Sequence, residues 1–337
     1  MQVTMQFWEV YMHNVLKEWL ASLGIEEPEL QSLHGDASAR SYYRLTNSDG
    51  GIVMDASAAK ESLPSFMDVG KRLTDANVRI PTIRSYDLEK GFVFLEDIGS
   101  THLLDKCVEG VDARPYYDKA IETLVQLQTT SSEGLEPYDE SFLLQEMNLM
   151  TEWYLKAYLD TTLECLEGRM LLGSFSLIAK EVLSQPQGIF VHRDYHARNL
   201  MLDSHDEIVV IDFQDAREGA LTYDLVSLLR DAYVKLDRRE LRRLILLFKE
   251  LKGLDVEDET FIRWFDFTGL QRHIKILGIF ARLAIRDGKK NYLQDIPLTL
   301  KYILEVGQKY PELDGLIALL KSQYGEFKDA PVTMRIF

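Results

Sequence analysis

Two short stretches, VHRDYHARNLML at 191–202 and IVVIDFQDA at 208–216, constrain this chain more than anything else in it. Each holds a short apolar run bounded by Asp or Asn, and together they read as two strands joined by the polar turn 204–207. Antiparallel pairing puts Asn199 and Asp212 at one end of a hairpin, with Asp194 on the tight loop leading into it. The separations spell H-R-D-x-x-x-x-N followed by Asp-Phe, that is His192, Arg193, Asp194, Asn199, Asp212 and Phe213. Phosphoryl transfer calls for such a set. One carboxylate takes the proton of a hydroxyl, while an amide oxygen and a second carboxylate hold a Mg²⁺ whose other positions go to water and phosphate. Asp and Asn are also common in exposed turns. A turn, however, does not require His, Asp, Asn and Asp at these separations, each with an apolar strand behind it. The expectation is a catalytic base at Asp194, metal ligands at Asn199 and Asp212, and ATP with Mg²⁺ as cofactors.

The rest of the chain divides around this hairpin. Near the start, Phe7, Val10, Tyr11, Val15, Trp19 and Leu20 fall at helical spacing, with Glu9, Lys17 and Glu18 interrupting the apolar run. That pattern describes a helix docked on a domain. Its polar face is not basic enough for a membrane-surface helix, and no stretch reaches the ~18 apolar residues of a spanning one. Strands at 43–45 and 52–54 flank Ser48-Asp49-Gly50-Gly51, a strong hairpin signal. A helix at 59–76 and a buried strand in GFVFLED (91–97) follow. After about Leu103 the pattern turns helical, over Tyr116–Gln128, Glu146–Leu159, Tyr223–Ala232, Arg238–Lys252, Thr260–Arg286, Leu298–Gly307 and Leu313–Tyr324. The predicted architecture is α+β, with a β-rich N-lobe over 1–97 and a mostly helical C-lobe over 98–337 that carries the catalytic hairpin. Residues 96–100 read as the hinge.

Composition narrows the partners. The chain has 337 residues, 46% of them hydrophobic, enough for a sizeable core. Lys and Arg number 38 against 54 Asp and Glu, a net charge of −16 that repels nucleic-acid phosphates. An acidic balance suits a cationic small substrate, or simply an acidic cytoplasmic protein. Cys107 and Cys165 are far apart and in no metal-ligand spacing, which fits a reduced compartment with both as packing residues. The partner expected is a small-molecule substrate, with no nucleic acid, membrane or obligate protein partner.

With these residues in view, the chain resembles the aminoglycoside/choline-kinase-like branch of the protein-kinase superfamily. His196 extends the motif to H-x-D-x-H-x-x-N, no A-P-E follows Asp212, and Asp224-Leu225 follows within TYDL. The resemblance implies a bilobal protein-kinase-like (aminoglycoside phosphotransferase) fold, in which Asp224 is structural. Four segments resemble more closely the anomeric sugar kinases that phosphorylate the 1-hydroxyl of N-acetylmuramate and N-acetylglucosamine during peptidoglycan recycling. They are GDASARSYYR (35–44), VMDAS (53–57), HRDYHARNLM with VIDFQDAREGALTYDLVSLLRD (192–231), and GLQRHIKILGIFARL (269–283). This likeness implies an amino-sugar acceptor. A kinase of another small alcohol (aminoglycoside, choline or homoserine) and a catalytically dead ATP-binding protein are the alternatives.

The remaining site residues follow. Gly35 and Ser38 lie between the first two strands, where a phosphate-covering loop would sit, and could aim backbone N–H groups and a hydroxyl at phosphate; an ordinary hairpin turn is the other reading. The third strand, Ile52-Val53-Met54-Asp55, lacks the Lys that protein kinases place there, so Arg40, Arg44 or Lys60 is expected to substitute. Glu96 and Ile98 at the hinge would offer backbone groups to adenine. On the acceptor side stand His196, Gln214 and Asp215, together with Arg272 and Lys275 from the polar cluster Gln271, Arg272, His273 and Lys275 on an otherwise apolar helix. That cluster is either a solvated helix face or a set of contacts to a lactyl carboxylate or sugar hydroxyls.

Overall fold

The computed structural model describes residues 14–33, 40–47, 50–108 and 112–324. Phe7, Val10 and Tyr11 of the expected first helix, and Gly35 and Ser38 of the expected phosphate loop, lie outside the described residues.

Helix α1 (residues 14–22) precedes β1 (Leu30–Leu33), β2 (Ser41–Leu45) and β3 (Gly51–Asp55); α2 (Leu63–Asp75), β4 (Ile83–Asp87) and β5 (Phe92–Leu95) follow. The strands form one antiparallel sheet in the order β1-β2-β3-β5-β4, with Arg44 opposite Ile52 and Ile52 opposite Leu95. Alternation along β3 and β5 splits the core between the two faces of the sheet. Val53, Phe92 and Phe94 meet Leu16, Trp19 and Leu20 of α1 on one side. Met54, Val93 and Leu95 meet Leu63, Phe66, Val69 and Leu73 of α2 on the other. Strand β4 carries no sequence signal of the expected kind. Its residues Ile83-Arg84-Ser85-Tyr86-Asp87 alternate half-buried and exposed at the sheet edge, so no apolar run marks it.

The second part holds α3 (Leu103–Val108), α4 (Arg114–Leu127), α5 (Glu140–Leu149), α6 (Cys165–Leu183), β6 (Ile189–Val191), β7 (Leu200–Leu202), β8 (Ile208–Val210) and β9 (Arg217–Gly219). Helices α7 (Tyr223–Leu229), α8 (Arg238–Leu251), α9 (Asp258–Arg286), α10 (Ile296–Gly307) and α11 (Asp314–Tyr324) complete it. β7 and β8 pair antiparallel with Leu200 opposite Val210, as expected for the catalytic hairpin, and β6 pairs with β9. The 29-residue α9 is the axis of the helical part, and its Phe267, Leu270, Ile274 and Leu277 are fully buried. At Gly278 it crosses so close to the end of α5 that a Cβ would stand 2.3 Å from the carbonyl carbon of Leu149.

Four expectations need correction. The helix expected at Glu146–Leu159 begins at Glu140 and changes to π-helical geometry over Met150–Tyr158. Helix α6 was not foreseen, its sequence having exposed Leu166 and Leu172 on the face opposite its buried one. The helix expected to run to Ala232 ends at Leu229, because Arg230 leaves helical backbone at φ −124°. Cys107 is a packing residue, whereas Cys165 is exposed. Among the described residues no helix is long and apolar enough to cross a membrane.

Candidate active site

The loop between β6 and β7 is held by buried carboxylates bonded to its main chain. Asp224, fully buried in the first turn of α7, accepts the N–H groups of His192 (2.7 Å) and Arg193 (3.0 Å). Arg193 sits at φ +78°, a left-handed backbone that costs a non-glycine residue about 1–3 kcal/mol, so the paired bonds have strain to offset. Asp231 grips the loop further on, accepting from Ala197 N–H (3.0 Å) and Tyr233 N–H (2.9 Å). Burial pushes both carboxyls up to about 6. His192 ties the loop to the second strand of the hairpin: its Nε2–H donates to the Ile211 carbonyl (3.0 Å) and its Nδ1 accepts from Asp194 N–H (3.3 Å).

Asp194, Asn199 and Asp212 come together at the open end of the hairpin. Asn199 Nδ2 donates to the main-chain oxygen of Asp194 (3.1 Å) and to Asp212 Oδ2 (3.4 Å). Asp212 is exposed and strained at φ +62°. An amide and a carboxylate side by side offer the hard oxygen donors that suit Mg²⁺, which needs few protein ligands. The donor set fits the ion, and Asn199 and Asp212 would hold it. Arg272 donates through Nη1 to the main-chain oxygen of Arg193 (2.6 Å) and through Nη2 to Asp194 Oδ1 (3.2 Å). Burial opposes ionisation of Asp194, but Arg272, His196, Lys275 and Arg193 together outweigh it and hold the carboxyl well below the usual range. His196, next but one along the loop, is pushed down to about 4 by burial and is neutral at pH 7.

The polar cluster on α9 is buried, which excludes the solvated-face reading. Gln271 donates to Glu146 Oε2 (3.0 Å); Lys275 donates to Glu146 Oε1 (3.3 Å) and to the Tyr223 hydroxyl (2.8 Å). Arg193 and Tyr138 also donate to Glu146 Oε1, each at 3.2 Å. Burial opposes the charge of Glu146, yet Lys275 and Arg193 hold its carboxyl below the usual range. Glu146 was not among the expected site residues. Its signal is an acid set among Leu143, Met147 and Met150 on the buried face of a helix.

A cleft of about 910 Å³ lies between the sheet and the helices. Leu33, Ile52, Leu95 and Ile98 line it from the sheet and hinge, and Met201 and Ile211 from the hairpin, giving apolar walls suited to a flat ring. Its other half is lined by Arg193, Asp194, His196, Arg198, Arg272 and Lys275, with Tyr233, Ile276, Phe280 and Tyr292 beside them. The Arg198 guanidinium lies 3.6 Å from the centroid of the Tyr233 ring. Of the expected site residues, Asp194, Asn199, Asp212, Arg44, Glu96, Ile98, His196, Arg272 and Lys275 line this one cleft.

Gln214 and Asp215 are corrections, since neither lines the cleft. Gln214 is buried and turns back to donate to Asp212 Oδ1 (2.8 Å), and Asp215 is exposed. Lys60 does not line the cleft, and its Nζ donates instead to the Glu89 carbonyl (2.6 Å) on the turn between β4 and β5. Arg44 clamps the hinge, with Nε and Nη2 on the Asp97 carboxylate (2.7 and 3.0 Å) and Nη2 on the Gly99 carbonyl (2.7 Å). Arg40 donates to Ser62 Oγ (2.8 Å). Burial raises the Tyr42 hydroxyl, Arg40 pulls it back down and Asp212 adds to the rise, so Arg40 and Asp212 act on one tyrosine. The Glu96 side chain is bound by Arg79 and Thr82 and its N–H donates to the Thr82 carbonyl (2.9 Å), which leaves its carbonyl for a nucleotide.

The sequence profile of the Phosphotransferase enzyme family matches residues 29–259. The N-acetylmuramate/N-acetylglucosamine kinase of Neisseria meningitidis serogroup B is 38% identical over 323 residues, covering 92% of this chain and 96% of that one. The protein of the same name from Pseudomonas aeruginosa is 37% identical over 301 residues, covering 87% and 88%. Among solved structures, ADP-bound aminoglycoside phosphotransferase APH(2'')-Ib superposes with a TM-score of 0.61 at 15% identity, covering 88% of this chain and 98% of that one. That last likeness speaks to the fold alone.

Proposed function

Because the chain belongs to the Phosphotransferase enzyme family, we propose that it is an ATP- and Mg²⁺-dependent kinase of the 1-hydroxyl of N-acetylmuramate and N-acetylglucosamine, working in the cytoplasm in peptidoglycan recycling. The observation that carries the reading is the charge of the acceptor half of the cleft, where Arg193, Arg198, Arg272 and Lys275 surround Asp194. A cationic acceptor such as choline or an aminoglycoside would find only Asp194 and the buried Asp231 as carboxylates in that half, beside four cations of which Arg193 and Lys275 are paired with Glu146 and Arg272 with Asp194. A neutral or carboxylate-bearing sugar meets donors, and the adjoining Ile276, Phe280 and Tyr292 suit acetyl and lactyl methyl groups. The names of the two relatives support the same acceptors.

Bound Mg²⁺·ATP supplies the γ-phosphoryl group and a cation against its oxygens. Asp194 orients the acceptor hydroxyl and takes its proton as the new O–P bond forms and the bond from the γ-phosphorus to the bridging oxygen breaks, releasing ADP. An anomeric hydroxyl is more acidic than an ordinary alcohol, so a carboxylate of low basicity is sufficient. Asn199 and Asp212 would hold the cation, and Arg40, outside the cleft lining but acting with Asp212 on Tyr42, would supply the charge that the third strand lacks. The division of labour roughly follows the chain: 1–97 supplies the sheet side of the nucleotide slot, and 98–337 supplies its hinge and hairpin side together with the catalytic loop and the acceptor site. ADP release measured over N-acetylmuramate, N-acetylglucosamine, kanamycin, choline and homoserine tests the acceptor. Turnover is expected with the two sugars; turnover confined to a cation or to homoserine would discard the sugar reading.

A further inference from the structure

Arg272 was expected to touch the acceptor, but two of its N–H groups donate to the catalytic loop. They fall on consecutive residues, one on the carbonyl of Arg193 (2.6 Å) and one on Oδ1 of Asp194 (3.2 Å). The guanidinium is 5% exposed, whereas the Asp194 side chain it holds is 51% exposed. A half-exposed carboxylate would otherwise turn among rotamers in water. Asp194 Oδ2 takes no hydrogen bond from any described residue. Helix α9 is in turn anchored by Gln271 and Lys275 to Glu146, which also holds Arg193, so one rigid helix grips the strained residue before the base from two sides.

We propose that Arg272 is the positioning residue for Asp194: it fixes the carboxylate through Oδ1 and leaves Oδ2 to accept the hydroxyl of the phosphoryl acceptor. The geometry requires a planar fork with two parallel donors, which an ammonium cannot reproduce. This deepens the phosphotransferase reading above and rests on it for the role of Asp194.

The test compares Arg272→Ala, Arg272→Lys, Asp194→Asn and the Arg272→Ala/Asp194→Asn double variant, with N-acetylglucosamine as acceptor and, in parallel, with water as acceptor in slow ATP hydrolysis. Arg272→Ala is expected to lower kcat on the order of 10²-fold, the scale of a misplaced catalytic group, with the KM for ATP nearly unchanged. Arg272→Lys should fall between wild type and Arg272→Ala and unfold at the wild-type temperature. Added guanidinium should restore part of the Arg272→Ala activity and none of that of Asp194→Asn. The Arg272→Ala loss should vanish in the Asp194→Asn background, as for two residues acting as one unit. A raised KM for the sugar at unchanged kcat would overturn the proposal in favour of an acceptor contact. A loss of full size in the Asp194→Asn background would overturn it in favour of a purely structural role. Wild type that turns over no sugar would defeat the acceptor reading alone, since the hydrolysis arm still tests Arg272.

Discussion

Asp194 and Asp224 are both carboxylates of the catalytic loop region, and their surroundings give them opposite tasks. Asp194 is half exposed beside a guanidinium and stays ionised; Asp224 is enclosed and spends both oxygens on main-chain N–H groups. Asp224→Ala would leave two buried donors unpaired at a strained residue. The expected cost is about 2–5 kcal/mol of unfolding free energy with a parallel fall in kcat, read by denaturant titration and steady-state kinetics. Glu96 gives a pH prediction. Arg79 holds its carboxyl at about 2, below the ordinary 4.5, so its contribution to stability is present above about pH 4.5 and lost as pH falls towards 2. Wild type should exceed Glu96→Gln by on the order of 1–2 kcal/mol near neutrality, the quarter-exposed pair being partly screened, and the gap should close on acidification. The convergence of residues set by short local spacing, such as Asp194, Asn199 and Asp212, was legible in the sequence. Gln214 was misread because a position two residues after Asp212 says nothing about which way a side chain turns. Glu146 was missed because its partners, Arg193 and Lys275, are distant in the chain.

At the scale of elements, helix α9 lines one wall of the cleft, through Arg272, Lys275, Ile276 and Phe280. Its periodicity was plain in the sequence, and the structure extends its expected start only from Thr260 to Asp258. Less legible was that its polar residues face inward, since a cluster of Gln, Arg, His and Lys has the composition of a solvated face until neighbouring helices cover it. The crossing at Gly278 sets how closely α9 approaches α5 and the π-helical stretch that starts at Met150. Gly278→Ala would push a methyl into the Leu149 backbone, and an overlap with main chain cannot be relieved by a rotamer change. The expected result is a loss of about 3 kcal/mol or more, seen as a fall in Tm, together with reduced turnover because Arg272 and Lys275 move with the helix. The edge strand β4 and helix α6 escaped the sequence for a common reason. Edge and surface elements keep polar or mixed faces, and their apolar signal is diluted.

For the whole molecule, net charge decided nothing about the acceptor. A balance of −16 fitted a cationic substrate or simply an acidic protein, whereas Arg193, Arg198, Arg272 and Lys275 all line one half of a single cleft. Global composition averages over a surface that the substrate never meets. The account therefore predicts that the KM for N-acetylmuramate rises with ionic strength more steeply than that for N-acetylglucosamine, because only the former carries a carboxylate for salt to screen. Equal salt dependence for the two sugars would count against recognition of that charge. The sheet-bearing and helical parts meet at Phe66 and Phe213, whose rings stack at 4.9 Å and join α2 to the residue after Asp212. The bilobal plan was legible because β-rich and helical patterns occupy different parts of the chain. The packing between those parts was not, since it depends on pairs such as these two phenylalanines. The most direct test of the central claim is ³¹P NMR of the products formed from Mg·ATP and N-acetylmuramate or N-acetylglucosamine by wild type and Asp194→Asn. The account predicts a sugar 1-phosphate signal with wild type and its loss, by roughly 10²–10⁴ in rate, with Asp194→Asn; phosphate on any other hydroxyl, or an undiminished signal from the variant, would contradict it.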